Sequence, residues 1–116
     1  MIIDFHTHIF SEWLRDQREQ YLARDVTLGE LYADPKAKMA TAGELLRAMD
    51  EDGVDRSVVM GVGWTDQGLA HEANDYIIAS VSRHPGRLIG FSPFLPSPHR
   101  SHRAFWKAAG ARAAVR

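Results

Sequence analysis

The chain contains no cysteine, so disulfides and thiolate ligands are excluded and a bound metal would have to rest on nitrogen and oxygen. No stretch approaches the roughly 18 apolar residues of a membrane span. The first eight residues include Asp4, His6 and His8 and lack the basic cluster and long apolar run of a secretory leader. A soluble, cytoplasmic protein with no membrane partner is therefore expected. There is no P-loop, no Gly-x-Gly-x-x-Gly and no internal repeat beyond a βα period. Acidic residues are missing from the whole C-terminal third. All 15 lie between Asp4 and Asp75, where seven Lys and Arg leave a balance of −8. Residues 76–116 carry seven Lys and Arg and no acid. A basic tail can signal nucleic acid. Here aromatic and basic residues interleave only at Phe105-Trp106-Lys107, so no nucleic-acid partner is expected.

Length is the other shortage. The 116 residues suffice for one small domain with a modest core.

What is present is concentrated at the start. Met1-Ile2-Ile3 leads into Asp4-Phe5-His6-Thr7-His8-Ile9, which reads as a short buried strand over Ile2–His6. Side chains alternate along a strand, so Asp4, His6 and His8 are expected on one face. Two imidazoles side by side on a rigid strand can ligate one divalent ion, with a carboxylate nearby to orient them. Two histidines that merely hydrogen-bond to their neighbours are the plainer alternative.

Residues 10–40 form a long excursion before the next core element. Ser11 can cap a helix running to Arg24, with Leu14, Tyr21 and Leu22 on its apolar side. Thr27 with Glu30 reads as a capping box, and Asp34-Pro35 as an N-cap before an N1 proline. Arg15, Arg18, Tyr21 and Arg24 could reach an anionic substrate; otherwise they form a solvated face. Thr41 with Glu44 opens a helix through Asp52, which Gly53 ends, with Leu45, Leu46 and Met49 on its apolar face. Arg56–Val62 is a near-continuous apolar strand of the kind buried in parallel sheets, followed by Gly63 and Trp64. Trp64 either walls a substrate pocket or packs beneath the excursion. A helix over Leu69–Arg83 and a strand over Arg87–Phe91 complete a βαβαβ pattern with parallel strands in order 1-2-3. Right-handed crossovers would place both core helices on one face.

The pattern resembles the amidohydrolase superfamily, specifically its amidohydrolase-related, decarboxylase-like branch, whose first strand ends in His-x-His. Thr41-Ala42-Gly43-Glu44-Leu45-Leu46-Arg47-Ala48-Met49-Asp50 and Gly53-Val54-Asp55-Arg56-Ser57-Val58-Val59-Met60 resemble its first core helix and second strand. Asn74-Asp75-Tyr76 and His84-Pro85-Gly86-Arg87-Leu88-Ile89-Gly90-Phe91 resemble the next helix and strand. The likeness covers residues 1–91 and implies the N-terminal portion of a (β/α)8 TIM-like barrel, with the excursion at its active-site end.

The resemblance implies a metal-dependent hydrolase or decarboxylase acting on a small molecule. His6 and His8 would ligate a divalent metal, zinc or manganese, with Asp4 beside the ligands to orient them and Trp64, Arg15 and Tyr21 near the substrate. The family's other metal ligands are a histidine after strand 5 and an aspartate after strand 8, and a histidine after strand 6 aids catalysis. None has a counterpart here, so a truncated chain, inactive alone and open to oligomerisation, is expected. A small non-catalytic βαβ binding module is one alternative. A phosphoesterase of the polymerase-and-histidinol-phosphatase group is another, since it too begins Asp-x-His-x-His. That group continues with Ser-Asp-Gly, whereas Ile9-Phe10-Ser11-Glu12-Trp13 follows here. Residues 92–116 form a Pro/Arg/Ala-rich tail in which the resemblance fades, as a frame-shifted gene or a genuine loop and cationic helix would give. His99 and His102 are not expected to bind metal.

Overall fold

A computed structural model of the chain describes residues 1–91. Expectations for residues 92–116, including those for His99, His102 and Phe105-Trp106-Lys107, lie outside the described residues. Among the described residues no helix is long and apolar enough to cross a membrane.

The elements run β1 (Ile3–His8), α1 (Glu12–Asp16), α2 (Arg18–Tyr21), α3 (Val26–Tyr32), α4 (Ala42–Asp52), β2 (Arg56–Met60), α5 (Gln67–Arg83) and β3 (Leu88–Phe91). The three strands form one parallel sheet in the order β1-β2-β3, as the βαβαβ pattern predicts. Ser57 and Val59 of β2 are buried, and they pair in register with Leu88 and Gly90 of β3. Val59 and Leu88 pack with Ala42 and Met49 of α4, Ile77 and Val81 of α5, and Ile9. Both core helices therefore cover the same face. Val58, Met60 and Ile89 point to the opposite face and are only half-buried, while Phe91 beside them is exposed.

Local chemistry accounts for the helix ends. Thr41 caps α4, its hydroxyl accepting from the Glu44 amide at 3.3 Å, and Gly53 closes the helix at φ 69°, a left-handed conformation that glycine adopts without Cβ strain. Asp66 caps α5 by accepting from Leu69 N at 2.9 Å, two residues earlier than the sequence suggests.

The excursion differs from its sequence reading in three respects. The helix expected from Ser11 to Arg24 is two short helices, broken at Gln17, which leaves the helical basin at φ −108°, ψ 20°. Helices this short have little intrinsic stability, so tertiary contacts decide their path. The break lets Arg18 donate to the carbonyls of Asp34 and Tyr32, and brings the Trp13 and Tyr21 rings to 5.1 Å. Secondly, α3 is capped by Asp25 and not Thr27: Asp25 Oδ1 accepts from Leu28 N at 3.0 Å, while the Thr27 hydroxyl donates to the Gly63 carbonyl. Thirdly, Asp34-Pro35 starts a single turn, closed by Lys36 N to Asp34 Oδ1 and Ala37 N to Asp34 O, each 2.9 Å, and no helix follows.

A second apolar cluster fastens this excursion down. Phe10, Leu14, Leu28 and Met39 pack with Val62, Trp64, Leu69 and Ala70, from the segment after β2 and the start of α5. β2 ends at Met60, not Val62, because Val62 and Trp64 turn aside into this cluster.

Candidate metal centre

β1 runs to His8 and so carries both histidines within the strand. Their rings meet edge to face, with centroids 4.8 Å apart and an interplanar angle of 87°. The two Nε2 atoms are 3.1 Å apart. Two nitrogens each about 2.0–2.1 Å from one zinc ion would sit about 3.3 Å apart at the tetrahedral angle. At 3.1 Å the two nitrogens are within hydrogen-bond distance of each other, and the same spacing is close to that of two ligands of one ion.

The proton inventory of His8 suits that role. Its Nδ1 lies 3.0 Å from the Met60 carbonyl, which can only accept, so Nδ1 carries the proton. In the neutral ring Nε2 then keeps its lone pair, aimed at His6. Metal-bound histidines are commonly oriented in this way, by donating the other ring N–H to a carbonyl. His8 is half-buried and His6 exposed, so the site stands at an open face.

Asp4 departs from expectation. Register places Asp4 level with Ser57, Thr7 level with Val59 and His8 level with Met60, with a shift between Asp4 and Thr7. Ser57 and Met60 lie on opposite faces of β2, so Asp4 and His8 fall on opposite faces of the sheet. Alternation fails because β1 contains one extra residue at this bulge. Asp4 Oδ1 accepts instead from the His6 backbone N–H at 3.1 Å.

The residues expected around a substrate do not gather at the histidines. Trp64 is 8 % exposed and packs in the second cluster, its ring edge-on to Phe10 at 6.3 Å; it lies beneath the excursion rather than walling a pocket. Tyr21 meets the Trp13 ring at a 49° tilt and carries the Arg24 guanidinium 4.9 Å above its own ring. Arg15 is paired with Glu44 of α4 and with Asp16, and the Asp16 hydrogen bond holds the guanidinium pKa above its ordinary value. Arg15 and Arg18 do line a shallow groove with Gln17, Leu22, Ala33 and Pro35, but neither histidine borders it.

One residue that sequence reading passed over organises this end of the sheet. Asp25 is fully buried, and its Oδ2 accepts from Thr65 N and Asp66 N, both at 2.7 Å, while Oδ1 caps α3. Val26 N donates to Thr65 Oγ1 at 2.9 Å, and Arg24 pairs with Asp66 at 3.3 Å. The only signal in the sequence was an Asp three residues before Leu28. Among the described residues no group of three or more His, Cys, Asp or Glu could hold a metal ion. The donor set here is thus two imidazole nitrogens, fewer than the three protein ligands of a catalytic zinc site.

No family model matches the chain, and no curated protein matches it. Among solved structures, a 5-carboxyvanillate decarboxylase from Sphingomonas paucimobilis is similar, with a TM-score of 0.61 at 20% identity. The match covers 93% of this chain and 38% of that enzyme, so the chain spans well under half the enzyme's length. At this identity the likeness speaks for the fold: three parallel strands with helices on one face, forming part of a TIM barrel.

Proposed function

We propose that this chain carries the metal-anchoring strand of an amidohydrolase-type hydrolase or decarboxylase. His6 and His8 supply two Nε2 ligands to a divalent ion, zinc or manganese. The observation that carries the reading is the 3.1 Å approach of the two Nε2 atoms, with His8 oriented by the Met60 carbonyl. The barrel fold and the sequence resemblance support the same class. A bound ion in such a site polarises a substrate oxygen or lowers the pKa of water. This chain's own residues hold and orient: β1 presents the histidines, Met60 fixes the His8 tautomer, and the Asp25 knot braces the excursion beside them. Among the described residues no third ligand joins the pair, and the family resemblance puts the remaining ligands and the proton-transfer group on later strands, so our reading is that the 116-residue chain alone does not turn over substrate.

Calorimetric titration of the purified chain with Zn²⁺ tests the proposal. One weak site is expected, abolished in His6→Ala and in His8→Ala. Binding unchanged in both variants would overturn it. Metal-dependent turnover of ester, lactone or aromatic-carboxylate substrates, lost in His6→Ala, would overturn the inactivity of the chain alone.

A further inference from the structure

A regular parallel ladder continued from Asp4 opposite Ser57 would set His6 opposite Val59. Ser57 and Val59 face the helix layer. In that register Asp4, His6 and His8 would all point at the helices, because a one-residue slip moves every side chain to the other face. Thr7 instead stands opposite Val59 and His8 opposite Met60. The extra residue in β1 is therefore what carries His8 to the open face, with Thr7 and Ile9 left on the helix side. Bulges are rare in parallel pairs, and they recur beside active sites, where they re-aim side chains.

A bulge leaves a backbone group without its ladder partner. Here the His6 N–H is taken by Asp4 Oδ1 at 3.1 Å. On the far side of the bulge the Thr7 hydroxyl donates to the Val58 carbonyl at 2.7 Å, anchoring β1 to β2. Asp4 is thus bonded to the one irregular backbone step between the helix-facing and open-facing parts of the strand.

We propose that Asp4 is a positioning residue: its side-chain oxygen holds the bulge that turns His6 and His8 toward each other on the open face. It acts as a neutral acceptor would, by geometry and not through its charge on the ion. The metal-binding part of this inference rests on the function proposed above; the bulge part does not.

Asp4→Asn and Asp4→Ala in the full chain separate the possibilities. Asparagine retains an acceptor oxygen, as in Asx turns, and loses the charge; alanine loses both. In the metal-free protein, slow exchange of the His6 amide is expected in wild type and Asp4→Asn and lost in Asp4→Ala. Zn²⁺ affinity, read by competition with a chromophoric chelator, and the Co²⁺ visible spectrum should be retained in Asp4→Asn. In Asp4→Ala the affinity should fall about 10-fold or more, as for loss of other orienting partners. Asp4→Ser, a shorter acceptor, should recover part of the loss, and it replaces Asp4→Ala as the test if alanine prevents folding. Equal loss of affinity in Asp4→Asn and Asp4→Ala, with His6 protection intact, would make charge the operative property and overturn the proposal. Full protection and affinity in Asp4→Ala would also overturn it. If wild type binds no Zn²⁺, the metal reading fails by itself, and His6 exchange across the variants still decides whether Asp4 holds the bulge.

Discussion

The Nδ1–H of His8 is held by the backbone carbonyl of Met60, its cross-strand neighbour, at 3.0 Å. That bond ties the tautomer of a side chain on β1 to the pairing of β1 with β2. In the metal-free protein, ¹⁵N spectra of the imidazoles should show His8 protonated at Nδ1. Addition of Zn²⁺ should shift Nε2 of both histidines and leave the His8 Nδ1–H in place. A His8 ring protonated at Nε2 alone would contradict the bond.

Asp25→Ala should be among the most damaging substitutions outside the sheet. It strips an acceptor from Leu28 N, Thr65 N and Asp66 N, at a position that is fully buried. Leu28 N is buried whereas Thr65 and Asp66 are not, and a buried donor left unpaired costs about 1–3 kcal/mol, so a loss of about that size is expected in urea unfolding followed by circular dichroism. Asp25→Asn should also destabilise, because its amide nitrogen cannot accept.

Three glycines should rank by what surrounds them. A Cβ at Gly29 would lie 2.9 Å from the backbone oxygen of Leu22, which cannot rotate away. Gly53 holds φ 69° with open space around it, and nothing lies near Gly63. Alanine should cost about 1–3 kcal/mol at Gly29 through overpacking. At Gly53 it should cost about 1–2 kcal/mol through left-handed strain, and at Gly63 no more than about 0.5 kcal/mol. Thermal melts of the three single variants give the order.

Asp66 makes a pH-dependent contribution. The Leu69 amide, donated to its carboxylate, holds the Asp66 carboxyl below the usual range, and Arg24 adds to the effect. A carboxyl whose pKa is lowered on folding stabilises the fold above its unfolded pKa. That contribution is lost as pH falls through the folded value. Asp66→Asn keeps a capping oxygen and cannot titrate. The wild-type advantage in melting temperature at neutral pH should therefore narrow, and then close, as the pH is taken below the ordinary aspartate value of about 3.9. A gap that persists there would mean the charge is not what stabilises.

The sheet and its two covering helices were legible because their signals are local. Thr41 with Glu44, and Gly53 after Asp52, bound α4 within its own sequence, and the apolar runs Arg56–Met60 and Leu88–Phe91 need no distant partner to read as strands. The His6–His8 pair was legible for the same reason. The bulge was not, because it exists only in the pairing of β1 with β2, more than 50 positions away along the chain. The cap of α3 was ambiguous in the same sense. Asp25 before Leu28 and Thr27 before Glu30 satisfy one spacing rule, and the amides of Thr65 and Asp66 decide between them. Trp64 follows a strand end and could have faced ligand; its burial comes from Phe10, Leu28 and Met39, which no local pattern connects to it.

The division of apolar packing into two clusters also governs what light emission can report. Trp64 belongs to the cluster beneath the excursion and Trp13 packs against Tyr21 within the excursion itself, whereas the cluster between sheet and helices contains no tryptophan. Trp106 lies outside the described residues. With Trp106 replaced by Phe, tryptophan fluorescence excited selectively over tyrosine becomes a gauge of the excursion and the cluster beneath it, and far-ultraviolet dichroism a gauge dominated by α4, α5 and the strands. Coincident melting curves would mean that the Asp25 knot welds the two clusters into a single cooperative transition. An earlier fluorescence change would mean that the cover over the strand ends loosens while the histidine-bearing sheet stays folded.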